Sequence, residues 1–368
     1  MSAPIALFFG TRPQVIKASV LRDCLAAVGP VVAVDTGQHY DYALQRVHYD
    51  QLGVREPDAC LDVGSGSHAA QTGAILAACE TWLEQHRPRL AVVIGDTNST
   101  LACALAAVKG GIPVAHVEAG LRAGDRYMAE EINRRVVDAI AELLFAPCER
   151  VAGPLRDRFP DARVEVVGDV AHDVLRRALP RVPAPTGVAG YDPGWGGDFV
   201  YATLHRAELV DAPARLRSVM DGLGRSPLPC LLAAHPRTAA ALAQMGYATQ
   251  PRVRVVEPVG YLESIALARH AAAVVTDSGG LQREAYWLGV PCVTVRAETE
   301  WLETVQCGAN RLIAPEHASG LPGAIADAAS GRRAPDSWDR GAYGDGHAAE
   351  RIAGVLTRRL QGAASSSR

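Results

Sequence analysis

Short apolar runs that stop abruptly at Gly, Thr, Asp or Glu restrict this chain more than any other feature. Ile5–Phe9 ends at Gly10-Thr11-Arg12-Pro13, Val31–Asp35 at Thr36-Gly37, Leu90–Ile94 at Gly95-Asp96-Thr97, and Val114–Val117 at Glu118-Ala119-Gly120. Several are followed by apolar residues at helical spacing, as in Leu101–Val108. Runs of this length are strand-sized, and unbroken apolarity suits strands covered on both faces. Strands leading into helices imply βαβ units and a buried parallel sheet. The second half repeats the pattern in Val164–Val167, Phe199–Thr203, Leu231–Ala234, Val253–Val256, Ala273–Thr276 and Pro291–Val295.

A chain of 368 residues is too long for one ordinary core, and two domains of roughly 150–200 residues follow. The predicted division is 1–165, 166–345, and a C-terminal helix with a tail over 346–368, with the hinge near 160–170. Leu179–Gly197, with four prolines and five glycines, reads as a long non-helical excursion. The fold class is α/β. Ligands of open parallel sheets bind outside the carboxyl ends of the strands. The unusual polar residues fall there in both halves, so a substrate in a cleft between the domains is expected.

Formal net charge is −3, which gives no field for a nucleic acid or an anionic membrane. No stretch approaches the about 20 apolar residues that cross a bilayer. Met1–Gly10 reads as a first strand and not a signal peptide, and the Ser-rich Ala363–Arg368 as a frayed tail. The eight cysteines lack zinc or redox spacing and read as reduced core residues. A cytoplasmic homodimer without metal or cofactor is the expectation.

Four groups of residues can carry chemistry. Ser278-Gly279-Gly280, directly after Ala273–Thr276, offers free N–H groups at a helix start, a place suited to a diphosphate. Glu284 would follow in the early turns, within reach of ribose hydroxyls; a tight turn followed by an exposed Glu is the bland alternative. Arg12 and Lys17 sit at the start of the first helix, where both reach an anion, although a lone Lys is commonly just solvated.

The third group is carboxylates: Asp96, Glu118, and Glu130-Glu131 ahead of Asn133-Arg134. Asp96 and Glu118 come together if their strands are neighbours, and close carboxylates raise each other's pKa. Asp96 has an alternative role as a helix N-cap; Glu118 has none. The fourth group is His205 and His235, which follow two strands in the same manner and read as cleft residues, where a single His is more often structural.

Together these motifs resemble the non-hydrolysing UDP-N-acetylglucosamine 2-epimerases over nearly the whole chain. The resemblance rests on Gly10-Thr11-Arg12-Pro13 with Lys17, Thr36-Gly37-Gln38-His39, Gly95-Asp96-Thr97-Asn98-Ser99-Thr100 and His116-Val117-Glu118-Ala119-Gly120-Leu121-Arg122. It continues through Glu130-Glu131-Ile132-Asn133-Arg134, His205-Arg206, His235-Pro236 and Thr276-Asp277-Ser278-Gly279-Gly280-Leu281-Gln282 with Glu284. It implies two Rossmann-like domains facing across a cleft, as in glycosyltransferase-B folds, with the nucleotide on the second. It also implies diphosphate binding at Ser278, Gly279 and Gly280, a ribose contact at Glu284, and further substrate contacts at Arg12, Lys17 and His235. Catalysis is credited to Asp96, Glu118, Glu130 and His205. The implied reaction eliminates UDP from a UDP-N-acetylhexosamine to a glycal-type alkene, then adds UDP back with the proton on the other face. Acid–base groups and cationic or N–H stabilisation suffice for that. The last helix, around Ala348–Leu360, would cross back onto the first domain.

The match has departures. Gln14 stands where many members have Glu. Val259 and Ser264 replace residues often found beside the uracil. Trp301, in Arg296-Ala297-Glu298-Thr299-Glu300-Trp301, stands where the common enzymes have Arg. With Arg12-Pro13-Gln14 and Lys17-Ala18-Ser19, the Thr-Glu-Trp run resembles the branch acting on UDP-2,3-diacetamido-glucuronic acid. UDP-N-acetylglucosamine is the expected substrate, and that uronate the alternative. In Gln38-His39-Tyr40-Asp41 and Ala70-Gln71-Thr72, two contacts to an activating second substrate are missing, so no strict activation is expected. A glycosyltransferase and a silent sugar-nucleotide binder are the rival classes.

Overall fold

The computed structural model describes residues 3–38, 53–331 and 338–366. His39-Tyr40-Asp41, the heart of the second-substrate expectation, lies outside the described residues, as do the last two residues of the Ser-rich end. The chain divides into two compact units, Met1–Arg177 with Gly341–Arg368, and Ala178–Arg340.

Among the described residues, seven parallel strands form the first unit's sheet in the order β3-β2-β1-β4-β5-β6-β7. They are β1 (Ile5–Phe9), β2 (Val31–Asp35), β3 (Ala59–Cys60), β4 (Leu90–Ile94), β5 (Val114–Val117), β6 (Leu143–Ala146) and β7 (Arg163–Val166). Every residue of β1, β4, β5 and β6 is buried, as the unbroken apolar runs of β1, β4 and β6 require, and in β5 this includes His116. The order reverses between β1 and β4, where helices leave to opposite faces and a crevice opens at the strand ends.

β7 corrects one expectation. The run at Val164–Val167 was assigned to the second half, but β7 pairs with β6, Leu144 opposite Val164. Its exposed Arg163 and Val166 fit an edge strand. The division therefore falls after Arg177, later than the predicted hinge. The last helix, Ala348–Ser366, belongs to the first unit. Its N-terminal N–H groups at Ala348 and Ala349 donate to the buried Asp173 carboxylate at 3.0 and 2.9 Å. Burial raises that carboxyl's pKa, and the two amides oppose the rise. The helix backbone runs through Ser366, into the stretch expected to fray.

The second unit's sheet is also parallel, in the order β10-β9-β8-β11-β12-β13. The strands are β8 (Val200–Thr203), β9 (Cys230–Ala233), β10 (Val253–Val256), β11 (Ala273–Thr276), β12 (Cys292–Thr294) and β13 (Asn310–Leu312). Alternate residues serve opposite faces, as a period of two demands. Val200, Ala202 and Leu232 pack with Val219, Met220 and Leu223 of the helix Pro213–Gly224. Tyr201, Leu231 and Ala233 pack on the other side with Leu267 and Ala268 of the helix Tyr261–His270.

Leu179–Gly197 is no free excursion. It holds three single 3₁₀ turns. Val188 is buried in the second unit's core, and Tyr191 and Trp195 pack against Phe199 with ring centroids at 5.4 and 5.8 Å. Its aromatic content, not its Pro and Gly, decides where it lies. No helix of the described residues is long and apolar enough to cross a membrane.

Candidate active site

In the first unit, the ends of β1, β2 and β4 are fastened by polar side chains. Gln14 Oε1 accepts from the Gly10 and Thr11 amides at 3.0 and 3.2 Å. Its Nε2 faces the Ile94 carbonyl at 2.6 Å and the Thr97 and Thr100 hydroxyls at 3.0 Å each. Gln14 thus joins the two strands that flank the reversal point. A glutamate here would set a second oxygen against the Ile94 carbonyl, and the amide avoids that. Gln38 Oε1 accepts from the Ser99 amide and hydroxyl, and Gln71 Nε2 donates to the carbonyls of Gln38 and Gly64.

Asp96 and Glu118 follow neighbouring strands, with Ile94 opposite Val117 and the Gly95 amide donating to the Val117 carbonyl at 2.9 Å. The helix cap is Thr97, whose side chain accepts from the Thr100 amide, and not Asp96. Asp96 is instead paired with Arg134, while Asn133 Nδ2 donates to its carbonyl at 2.8 Å. Glu118 is 9% exposed and forms an ion pair with Lys17. Its φ is 70°, in the left-handed region that costs a non-glycine residue about 1–3 kcal/mol and that clusters at functional sites.

Glu130 is exposed in the first turn of the helix Ala129–Ile140. Its neighbour Glu131 is fully buried and takes the local cations: Arg135 at 2.7 Å, Arg134 at 3.4 Å and Arg122 at 4.0 Å, with the Ala123 amide at 2.9 Å. Arg12 is exposed at the start of the helix Arg12–Leu25.

In the second unit the order reverses between β8 and β11, and His205 and Asp277 meet just beyond their ends. His205 Nδ1 is 2.9 Å from Asp277 Oδ1, and the His205 and Arg206 amides donate to the same carboxylate. Burial would push the Asp277 carboxyl up; the His205 hydrogen bond and charge and the two amides outweigh that and hold it below the usual range. The imidazole itself is 42% exposed. A carboxylate so placed orients the ring and leaves its other nitrogen to meet a ligand. Spacing along the chain gives Asp277 no role of its own; only the strand order, with β11 beside β8, brings it to His205. His235, after β9, is exposed and its ring lies 6.3 Å from that of His205, while Nδ1 accepts from the Arg237 amide at a helix start.

Ser278 caps the helix Gly279–Leu288, its hydroxyl accepting from the Leu281 amide at 3.3 Å. The first-turn amides of Gly279 and Gly280 have no acceptor within the helix, which favours an anion there. Glu284 is half-buried beside Tyr261, whose hydroxyl is pushed up by burial and by that carboxylate. Trp301 is buried, with the Arg283 guanidinium 3.8 Å from its ring centroid. Arg283 Nε also donates to the Gly279 carbonyl at 3.0 Å, so the indole packs against the same helix start. Arg296 and Glu300 form a buried pair at 3.0 Å nearby in sequence.

Known proteins resemble this chain in sequence and fold. A family model described as UDP-N-acetylglucosamine 2-epimerase matches residues 29–357. A UDP-2,3-diacetamido-2,3-dideoxy-D-glucuronate 2-epimerase of Pseudomonas aeruginosa is 40% identical over 362 residues, covering 96% of this chain and 99% of its own length. A UDP-N-acetylglucosamine 2-epimerase of Methanocaldococcus jannaschii is 36% identical, covering 96% and 98%. The crystal structure of Methanocaldococcus jannaschii UDP-GlcNAc 2-epimerase in complex with UDP-GlcNAc and UDP superposes with a TM-score of 0.85 at 35% identity, over 96% of this chain and 99% of that one. The matched span takes in the second sheet, the first sheet apart from β1, and all the strand-end residues above except those around Arg12 and Lys17, and the full-length relatives cover 96% of the chain; the chain belongs to the UDP-N-acetylglucosamine 2-epimerase family.

Proposed function

We propose that this protein is a UDP-sugar 2-epimerase that inverts the acetamido-bearing carbon of a UDP-N-acetylhexosamine, with UDP-N-acetylglucosamine and its 2-epimer as the pair interconverted. The observation that carries the mechanism is the Glu118 carboxylate, held in a left-handed backbone and charge-paired to Lys17 beside the Asp96 turn. In the first half-reaction a carboxylate takes the C2 proton, the C2–H electron pair becomes the C1–C2 double bond, and the C1–O bond breaks with its electrons leaving on UDP. In the second, the UDP oxygen attacks C1 and a proton is delivered to the opposite face of C2. Asp96, Glu118 and Glu130 are the candidates for that proton work.

Diphosphate recognition falls to the second unit. The amides of Gly279 and Gly280, with Ser278, receive the anion, Glu284 the ribose, and His205, oriented by Asp277, acts at the leaving oxygen. Arg12, Lys17 and His235 contribute further substrate contacts. The same reading takes the enzyme to be a cytoplasmic homodimer; eight cysteines that form no disulfide fit a reducing compartment.

A second reading has an observation of its own. Trp301, stacked under Arg283, leaves the helix start with an indole where a second cation is expected, and the Pseudomonas aeruginosa relative is named for a diacetamido uronate. Proton NMR in heavy water with each UDP-sugar alone decides. Deuterium entering C2 together with the second epimer identifies the substrate. Absence of exchange with both sugars refutes the epimerase reading, and turnover that waits on an added acceptor favours a transferase.

A further inference from the structure

The buried pair of His116 and Asp138 takes part in none of the chemistry above. His116 lies on β5, two residues before Glu118, and Asp138 on the helix Ala129–Ile140; both are 0% exposed. Neither can touch a substrate. His116 Nδ1 is 2.7 Å from Asp138 Oδ1, and His116 Nε2 is 2.8 Å from the Gly95 carbonyl, the residue ahead of Asp96. Asp138 Oδ2 accepts from the Gly120 amide at 3.2 Å, two residues after Glu118, and from Arg122 at 2.7 Å.

A parallel-sheet strand buried on both faces has no packing need for a His–Asp pair, and such a pair is a poor source of stability against apolar residues of the same volume. What this one does is geometric. Its outer hydrogen bonds end on the two turns that carry the proposed acid–base groups. Those turns contain three positive φ angles, 66° at Gly95, 70° at Glu118 and 85° at Gly120; the glycines adopt theirs without strain, but at Glu118 the conformation persists only where surroundings hold it. The Gly120 turn has no slack: a Cβ there would lie 2.8 Å from Leu155 Cδ1 and 3.0 Å from the Val151 carbonyl. From the same helix, Arg134 and Asn133 hold Asp96 by its side chain and carbonyl.

We infer that His116 and Asp138 are a positioning pair, fixing the Gly95-Asp96-Thr97 and Glu118-Ala119-Gly120 turns relative to each other so that their carboxylates are set for proton transfer. This role rests on the epimerase reading. Asp138→Ala removes both links. Asp138→Asn keeps an oxygen for Gly120 and Arg122 and offers an N–H to a neutral ring that still donates to Gly95.

The test is steady-state kinetics and C2 deuterium exchange of the full-length protein, with UDP-N-acetylglucosamine or UDP-2,3-diacetamido-2,3-dideoxy-glucuronate, whichever the wild type turns over. Displacing catalytic groups by about 1 Å costs about 10²-fold. Asp138→Ala is expected to lose about 100-fold in kcat with KM within about threefold, and Asp138→Asn about tenfold. UDP affinity is expected to stay unchanged in both, and the far-UV circular dichroism and urea midpoint of each variant report whether the first unit, which carries Asp138, is folded. If Asp138→Ala does not fold, Asp138→Asn decides: a kcat loss of about fivefold or more at unchanged KM supports the role. Wild-type kcat in a folded variant, or a loss carried wholly by KM, overturns it while leaving the epimerase reading intact. A wild type without C2 exchange overturns both.

Discussion

Lys17 forms an ion pair with Glu118, so a cation from the first helix meets a carboxylate whose own backbone sits at φ 70°. Their side chains are 12% and 8% exposed, too little for water to replace a lost partner. In an enclosed pair beside the Asp96 turn the cation fixes the carboxylate's position and charge.

The pair should be strongly coupled. Removing one member leaves an uncompensated charge, so Lys17→Met and Glu118→Gln are each expected to destabilise by about 3 kcal/mol. The double variant should lose less than the sum, with a coupling of about 1–3 kcal/mol. Urea unfolding of the four proteins measures this; additive effects would show that the pair is solvated in solution. Glu118→Gln is also expected to lower kcat by about 10²–10⁴-fold.

Adjacent glutamates should respond oppositely. Glu131 is buried among three arginines, and Glu131→Gln is expected to cost about 3 kcal/mol or more in unfolding free energy. Glu130 is exposed, so Glu130→Gln should change stability by under about 0.5 kcal/mol while kcat falls at least about 10²-fold. Unchanged kcat in Glu130→Gln would remove that residue from the proton-transfer set.

Asp277 makes stability sensitive to acid. Its folded pKa is depressed, so its contribution is complete above the unfolded value of about 3.9 and fades as pH falls through the folded value. Asp277→Asn should therefore be less stable than wild type at neutral pH, and the gap should close below about pH 4. Urea midpoints from pH 7 down to pH 3 give the comparison, and a gap that does not vary with pH would contradict it.

Gly10 has no room for a methyl group. A Cβ there would lie 2.1 Å from Thr36 Oγ1 and 2.2 Å from Ser99 Oγ, which are hydrogen-bonded to each other at 2.7 Å. Gly10→Ala is expected to cost about 1–3 kcal/mol, and Gly10→Ala with Ser99→Ala to recover part of that. Thermal unfolding distinguishes the two; no recovery would place the strain in the backbone instead.

The sequence by itself determined the class of fold and which polar residues stand at the strand ends. Unbroken apolar runs such as Leu90–Ile94 can only be strands covered on both faces, and polar residues at their ends can only collect on one edge of a parallel sheet. β3, of two residues, and β13, with an exposed Arg311, escaped for want of such a run, and β6, a buried Leu-Leu-Phe-Ala, escaped although it has one. Local pattern has no information about pairing partners, so β7 was credited to the wrong half. Tertiary structure alone decided which like-typed residue does what. Glu130 and Glu131 are adjacent in sequence, and helix rotation puts one in solvent and the other among arginines. Asp96 and Thr97 are both good caps; Thr97 takes the cap, and Asp96 pairs with Arg134, contributed from a helix distant in sequence. Asp277 and Asp138 gain their imidazole partners only because β11 lies beside β8 and the helix Ala129–Ile140 packs under β5. Those are relations in space, and spacing along the chain does not encode them.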